Sequence, residues 1–530
     1  MSMSPRSLAE LIDHGGSNTA LIYRDRPISI GELADLSRRL AGGLKNLGIG
    51  AGDRIALWMP NVPAYLGLLF ACARLGAIAV SVNTRFRAAE VGDIISRSGA
   101  KALVLWPGFL GVPFLDILKE VEPTRLAGIE TVVVYGEEGE TIPGLPFQPK
   151  RIVAYDTLAA TTPLAFGFPE KNTGFAIFTT SGTTKAPKFV LQGQQGVAAH
   201  GFNVARGFGY LGPDTVMLQA LPLCGVFGFT QAMAGLAARK PMVMMPAFEP
   251  LAAADLIRRY KVTAFNGTDD MIHRLLETSK DQVPFPTLTE AGYAAFNAAL
   301  ADLPSWAEKR GLRLFGLYGM SEVHALFSRF DPTLPLALRQ RAGGVPVSPD
   351  YKVRTRDPES GVLLPHGQAG ELEFRGASVM LEYFNDPEAT QGAFTEDGYI
   401  KSGDLGETLA EGGFLFLTRM GDVLRLAGFL VSPAEIEATV QELPGIEGAQ
   451  AVAVGTKAGT KAVVFVVLKP GATLDEAATI AHCRKRIANY KVPHRVVALE
   501  AFPTTASANG TKIQRTKLRD MAQGMRETAG

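Results

Sequence analysis

Between Phe178 and Val190 the chain reads FTTSGTTKAPKFV. Thr179, Thr180, Ser181, Gly182, Thr183 and Thr184 offer hydroxyls, a residue without a side chain and closely spaced backbone N–H groups, and Lys185 and Lys188 add cationic tips. Such a stretch can surround phosphate oxygens with short donors. It lacks the G-x-x-x-x-G-K-[ST] spacing of a Walker loop. Composition alone favours a solvated polar linker over a phosphate site by about two to one.

Five later stretches carry further chemistry. Tyr318 to Glu322 (YGMSE) joins an aromatic face, a glycine, a hydroxyl and a carboxylate; an aromatic can stack on a purine while a carboxylate holds a hard cation such as Mg²⁺. Ser402 to Gly406 (SGDLG) sets one acid between glycines, suited to accept hydrogen bonds from vicinal hydroxyls or, equally, to form an Asx-turn. Arg419 to Asp422 (RMGD) contains Gly421, free to take φ values closed to other residues and so a candidate hinge or an ordinary interdomain turn. Near the end, ANYKVP and NGTKIQRTKLR place Lys491, Lys512 and Lys517 among polar donors; a lysine there can deliver charge to a reacting oxygen, although a solvated basic tail is the commoner meaning. Each stretch by itself is weaker than its bland alternative, and only their order along one chain reverses that balance.

Positioning these groups is the task of the surrounding elements. At 530 residues the chain is too long for one core. A net charge of +1, with 47% hydrophobic and 20% charged residues, argues against a nucleic acid or anionic membrane bound mainly by charge. Three separated cysteines (Cys72, Cys224, Cys483) suggest neither a disulfide framework nor a zinc site, and a cytoplasmic setting is expected. No signal peptide and no integral membrane segment is read; the apolar run Leu66 to Val82 is interrupted by Arg74 and Gly76.

Ser29 and Glu32 have capping-box spacing, and Leu33, Leu36, Leu40, Leu44 and Leu47 then recur at helical intervals. Arg54 to Met59 reads as a strand, Pro63 to Leu75 as a helix and Ala77 to Val82 as the next strand, the pattern of a parallel sheet. A helix at Ala88 to Ser98 and a strand at Ala102 to Trp106 repeat it, and Met242 to Met245 and Leu251 to Tyr260 continue it. The texture changes after Leu417, with β-rich pieces at Ala449 to Val454 and Ala462 to Leu468 and a helix over Asp475 to Ala488. The expected architecture is a large N-terminal multi-sheet α/β domain, residues 1–420, followed by a small C-terminal α+β domain, residues 421–530.

Phosphate loop, YGMSE, SGDLG, RMGD and a late lysine, in this order and at these separations, resemble the adenylate-forming superfamily of acyl-CoA synthetases, peptide-synthetase adenylation domains and luciferases. The segments SIGELADLSRRLAGGLKNLGIGAGDRIALWMPN and GELEFRGASVMLEYFNDPEAT share the likeness, which covers about residues 10 to 520. The resemblance implies that Thr179, Thr180, Ser181, Gly182, Thr183, Thr184 and Lys188 hold the phosphates of ATP. It implies that Glu322, beside Ser321, is the Mg²⁺ ligand, and that Tyr318, Gly319, Gly292 and Tyr293 flank adenine. Asp404 and Arg419 would hold the ribose, Gly421 would be the hinge of a mobile small domain, and Lys512 the catalytic lysine.

The implied chemistry is acid plus ATP to acyl-adenylate and pyrophosphate, then thioester formation with coenzyme A and release of AMP. The segments expected to line the acyl site, including Cys224, Gly225, Phe227 and Gly267, are small or apolar, which suits a fatty or aromatic acid, with Asp269 and Asp270 as polar exceptions. Transfer to a carrier protein, or a homologue that binds nucleotide and acyl groups with impaired catalysis, are the alternatives. Small-molecule acid, ATP and CoA are the expected partners, and a homodimer is left open. The pattern departs from the family at five places. Lys185 and Phe189 stand where glycines are usual, and a side chain held at φ > 0 there would cost about 1 kcal/mol or more. Gly225 replaces a common histidine, Gly421 a charged residue, and Thr511 is an extra residue before Lys512.

Overall fold

The computed structural model describes residues 7–137, 144–164, 173–180, 187–296, 300–426, 429–456, 459–487, 489–507 and 510–525. Local signals set its first elements. Ser29 Oγ accepts from the Glu32 amide at 3.1 Å while Glu32 Oε2 accepts from the Ser29 amide at 2.7 Å, completing the capping box of the helix Ile30–Asn46. That helix buries Leu33, Leu40 and Leu44. The strand Arg54–Trp58 leads into the helix Pro63–Leu75, which begins with proline and stops at Gly76 in the left-handed conformation, φ 67°. The strand Ile78–Ser81 then returns parallel to the first, Ile55 opposite Ala79. The two helices pack closely: a Cβ on Gly67 would come within 2.9 Å of Leu40 Cδ1.

Among the described residues this strand pair belongs to an eight-stranded sheet. Its other end is the antiparallel hairpin Gly174–Thr179 and Phe189–Gly193, flanked by the short strand Glu382–Tyr383. A nine-stranded sheet opens with three parallel strands, Asn266–Thr268, Glu290–Ala294 and Arg313–Met320, and becomes antiparallel from His324–Arg329 onward. A four-stranded sheet is built from Thr19–Tyr23, Arg26–Ser29, Met217–Gln219 and Met242–Met244. The C-terminal part pairs Ile446–Thr456, Gly459–Leu468 and Arg495–Leu499, and buries its own core around Leu424, Ile436, Val440, Val464 and Cys483. The architecture is therefore the expected mixed α/β one, with a large multi-sheet N-terminal part and a small α+β part. Among the described residues, no helix is long and apolar enough to cross a membrane.

Two stretches have a local backbone that their sequence leaves open. SGDLG lies inside the strand Ile400–Thr408 at a break in its pairing with Gly370–Arg375, where the register shifts and Gly403 takes φ 69°, while Asp404 and Leu405 stay paired with Arg419 and Thr418 on the other side. Gly421 sits in a short 3₁₀ turn, Met420–Asp422, outside the positive-φ set, and a Cβ there would meet nothing within 4 Å. Glycine's special freedom is unused at 421 in this conformation.

Candidate functional site

Three strands of the nine-stranded sheet bring Tyr318, Asp404 and Arg419 together. Asp404 and Arg419 are opposed in antiparallel register, an arrangement that places two side chains on one face. Asp404 is 2% exposed; the Tyr318 hydroxyl donates to its Oδ2 at 2.6 Å, and its own amide donates to Ser402 Oγ at 3.0 Å. Arg419 Nε lies 3.0 Å from Oδ1 in an ion pair, yet Oδ1 has no aligned hydrogen-bond partner among the described residues. Burial raises the Asp404 carboxyl above the ordinary range, opposed by Arg419 and by the Tyr318 hydroxyl. Asp404 in turn holds the Arg419 guanidinium more firmly protonated. A buried carboxylate with an unfilled acceptor, beside a guanidinium whose side chain is 61% exposed, is fitted to receive a pair of vicinal hydroxyls.

The Tyr318 ring packs against Phe374 and Phe416 and meets Phe414 edge-on at 5.1 Å. Gly292 and Tyr293 lie on the neighbouring strand, Tyr293 opposite Gly267 on one side and Gly316 on the other. Asp404→Asn removes the charge facing Arg419 and turns an amide N–H₂ toward either Arg419 or the Tyr318 hydroxyl. The expected result is a KM for ATP raised about 10- to 100-fold, on the scale of one lost charge-assisted hydrogen bond. An unchanged KM would remove Asp404 from the nucleotide site.

Glu322 occupies the turn between the strands Arg313–Met320 and His324–Arg329 and is 7% exposed. The Tyr383 hydroxyl donates to its Oε1 at 2.9 Å, and its carbonyl accepts from the Met380 amide at 2.7 Å. Gln192 Nε2 donates to the Ser321 carbonyl at 2.6 Å. Burial raises the Glu322 carboxyl, and the Tyr383 hydroxyl only partly offsets this, so a cation beside it would relieve the penalty. No cluster of three or more His, Cys, Asp or Glu occurs among the described residues. One carboxylate fits Mg²⁺, which commonly keeps its waters and takes substrate phosphates as further ligands.

Tyr383 also connects Glu322 to the Thr/Ser/Gly hairpin, since Lys188 Nζ stands 4.3 Å from its ring centroid. Thr180 and Lys188 close the mouth of that hairpin: the Thr180 amide donates to the Lys188 carbonyl at 3.0 Å, and the Lys188 amide to Thr180 Oγ1 at 3.2 Å. Thr179 ends the strand Gly174–Thr179 opposite Phe189. Ser181, Gly182, Thr183, Thr184 and Lys185 lie outside the described residues. Phe189 is buried in an extended strand without positive φ, its ring capped by Arg97 at 4.4 Å, so replacing glycine here imposes no backbone strain.

Neither Tyr383 nor Gln192 was singled out by sequence reasoning. Tyr383 sits within LEYFNDPEAT, but its partner is 61 residues away and no local spacing announces the pair.

The segment expected to line the acyl site is held by Asn61. Asn61 Nδ2 donates to the Leu221 carbonyl at 2.9 Å and its Oδ1 accepts from the Leu223 amide at 2.7 Å. Cys224 follows, partly exposed, its thiol pushed up to about 12 by burial. Gly225 caps the helix Val226–Ala238, on which Phe227 is buried. Asn266 Oδ1 accepts from the Gly292 amide at 3.1 Å, while its Nδ2 donates to the Tyr210 hydroxyl and to Gln231. Asp269 is occupied structurally: its two oxygens accept from the Asp270 and Phe296 amides at 2.8 and 2.7 Å. Asp270 pairs with Arg274 at 3.5 Å.

Lys512 lies in the strand Gly510–Ile513, paired with Thr505 across the hairpin, and Thr511 is absorbed into the same ladder opposite Ala506. The helix that follows ties back to the turn at Gly421, where Arg519 Nη2 donates to the Gly421 carbonyl at 2.7 Å and to Asp422 at 2.8 Å.

The AMP-binding enzyme family matches residues 10–384, and the AMP-binding enzyme C-terminal domain matches residues 435–509. A sulfoacetate–CoA ligase of Cupriavidus necator is 30% identical over 93% of this chain and 92% of its own. A long-chain-fatty-acid–CoA ligase of Salmonella typhimurium is 29% identical over 98% and 95%. Among solved structures, ATP-bound MatB from Rhodopseudomonas palustris superposes with a TM-score of 0.83 at 26% identity, covering 99% of this chain and 100% of that one. The chain belongs to the AMP-binding enzyme family and is an adenylate-forming ligase of the acyl-CoA synthetase kind.

Proposed function

We propose that the protein is an ATP-dependent carboxylic acid–CoA ligase acting on a largely apolar aliphatic or aromatic acid. A carboxylate oxygen attacks the α-phosphorus of ATP as the bond to the bridging oxygen of pyrophosphate breaks. The CoA thiolate then attacks the acyl carbon and AMP leaves with the electron pair of the broken C–O bond. Asp404 and Arg419 bind the ribose, Tyr318 fixes Asp404 and borders the adenine with Gly292 and Tyr293, and Lys188 and the Thr/Ser/Gly loop meet the leaving phosphates. Glu322, oriented by Tyr383, would hold Mg²⁺, which when bound neutralises charge on the phosphate oxygens. Lys512 supplies a further positive charge in the first step only, and the small domain, divided from the large one at 420/421, turns about Gly421 between the steps.

The observation that carries this reading is the buried Asp404 carboxylate with an unfilled oxygen, set beside Arg419 on the sheet whose hairpin bears Glu322. The apolar acid follows from the acyl segment: Cys224, Gly225, Phe227 and Gly267 offer no charge, and Asp269 is tied to backbone amides. The test is pyrophosphate release from Mg·ATP across a panel of acids, followed by CoA-dependent release of AMP. Release that depends on the acid is expected. Its absence with every acid would sink the ligase reading, and AMP release that ignores CoA would redirect the second step to a carrier protein.

A further inference from the structure

His324 follows Glu322 by two residues and takes φ +68°, a left-handed conformation uncommon outside glycine. Its ring is 1% exposed, and neither Nδ1 nor Nε2 has a hydrogen-bond partner among the described residues. The neighbouring histidine differs. His200 stacks on it with centroids 5.2 Å apart and planes 17° from parallel, but His200 Nδ1 meets the Tyr351 hydroxyl at 2.9 Å and Nε2 meets the Ala325 carbonyl at 2.8 Å. One ring of the pair is thus locked by the protein and the other is left with both polar atoms unused. Buried polar groups are rarely left so, because each forfeits its bonds to water without replacement.

The place of the ring indicates what would use it. Phe229 lies nearly parallel to it at 6.4 Å and belongs to the first turns of the helix Val226–Ala238, directly after Cys224, Gly225 and Phe227. His324 therefore stands between the segment assigned to the acid and the turn that carries Glu322.

We infer that His324 is a specificity-determining residue whose imidazole hydrogen-bonds a hydroxyl or oxo group carried by the acid away from its reacting carboxylate. The inference rests on the ligase reading and narrows its substrate to an otherwise apolar acid with one such group. An unsubstituted acid leaves the imidazole unsatisfied, and sites of this kind discriminate strongly against analogues lacking the matching group. A second carboxylate fits less well, because Phe229, His200, Tyr351 and Ala325 supply no fixed cation to balance it.

The test compares matched acids of one skeleton, unsubstituted, hydroxy- or oxo-substituted, and dicarboxylic, by kcat/KM for pyrophosphate release. His324→Gly suits the positive φ and deletes the imidazole without adding strain. His324→Asn tolerates the same conformation and keeps a donor and an acceptor. The wild type is expected to favour the hydroxy or oxo acid by about tenfold or more, equivalent to about 1.4 kcal/mol. His324→Gly should bring the ratio close to one, and His324→Asn should keep part of it. An unchanged ratio in His324→Gly, or a wild-type preference for the unsubstituted or dicarboxylic acid, overturns the inference. Should the wild type release pyrophosphate with none of the acids, the ligase reading fails by itself. Acid-dependent shifts in melting temperature then decide for His324: a shift with hydroxy or oxo acids that His324→Gly abolishes upholds it, and equal shifts refute it.

Discussion

Glu322→Gln is expected to lower acid-dependent pyrophosphate release by about 10²- to 10³-fold, the loss that follows when one preorganised electrostatic group is removed from a transition state that accumulates charge on phosphate oxygens. The same variant should melt no lower than the wild type at neutral pH. Glutamine keeps an oxygen to accept the Tyr383 hydroxyl and fills nearly the same volume, so packing around the turn survives. The charge is the part that burial opposes. With its folded pKa raised, Glu322 contributes most to stability when protonated, below the ordinary carboxylate pKa, and that contribution is lost as pH rises through the raised folded value. Neutral glutamine escapes this loss, so any gain in melting temperature should shrink as the pH is lowered toward 4, near the unperturbed carboxylate value. The variant should also need more Mg²⁺ to reach half its maximal rate. A rate unaffected by the substitution would dismiss Glu322 as the metal ligand; a rate that fell only with the folded fraction would make its role structural.

Much of this arrangement was legible from local pattern, and the part that was not has a common cause. Capping chemistry at Ser29, proline at 63 and glycine at 76 act on their own chain neighbours, so the helix and strand limits read from them fall within a residue or two of those observed. SGDLG is ambiguous in sequence because glycines on both sides of an acid suggest a turn; Gly403 does take a left-handed φ, but Asp404 and Leu405 are held in register by pairing across the sheet. Asp404 and Arg419 were paired through family resemblance, and only the register of their two strands explains why they meet. Phe189 looked like a strained replacement for glycine, and the ladder with Thr179 removes the strain because it holds the residue extended. That takes away one of the grounds for an impaired homologue. Tyr383, Gln192 and the orphaned His324 had no sequence signal at all, since each matters through a long-range contact or the lack of one. Asp269 was the reverse case: a conspicuous acid in an apolar segment whose oxygens are occupied by nearby amides.

Lys512→Ala is expected to reduce adenylation about 10²- to 10³-fold while thioester formation from supplied acyl-adenylate and CoA stays within a few-fold of wild type. The asymmetry follows from where charge develops. Negative charge builds on the oxygens about the α-phosphorus in the first step, where a positioned ammonium helps; in the second the leaving AMP is already a phosphate monoester and the attacking group is a thiolate. The framework around the lysine gives the substitution a local meaning. Its strand is paired through Thr505, and the helix Arg515–Gly524 that follows is anchored by Arg515 to the buried Glu437 at 2.8 Å and by Arg519 to Asp422 at 2.8 Å. Removing an ammonium from such a hairpin should leave the fold of the small domain intact, which circular dichroism and melting of the variant can verify. Equal loss in both half-reactions would mean that Lys512 serves the architecture of the small domain or the binding of AMP. Loss confined to thioester formation would reverse the proposed order of domain positions.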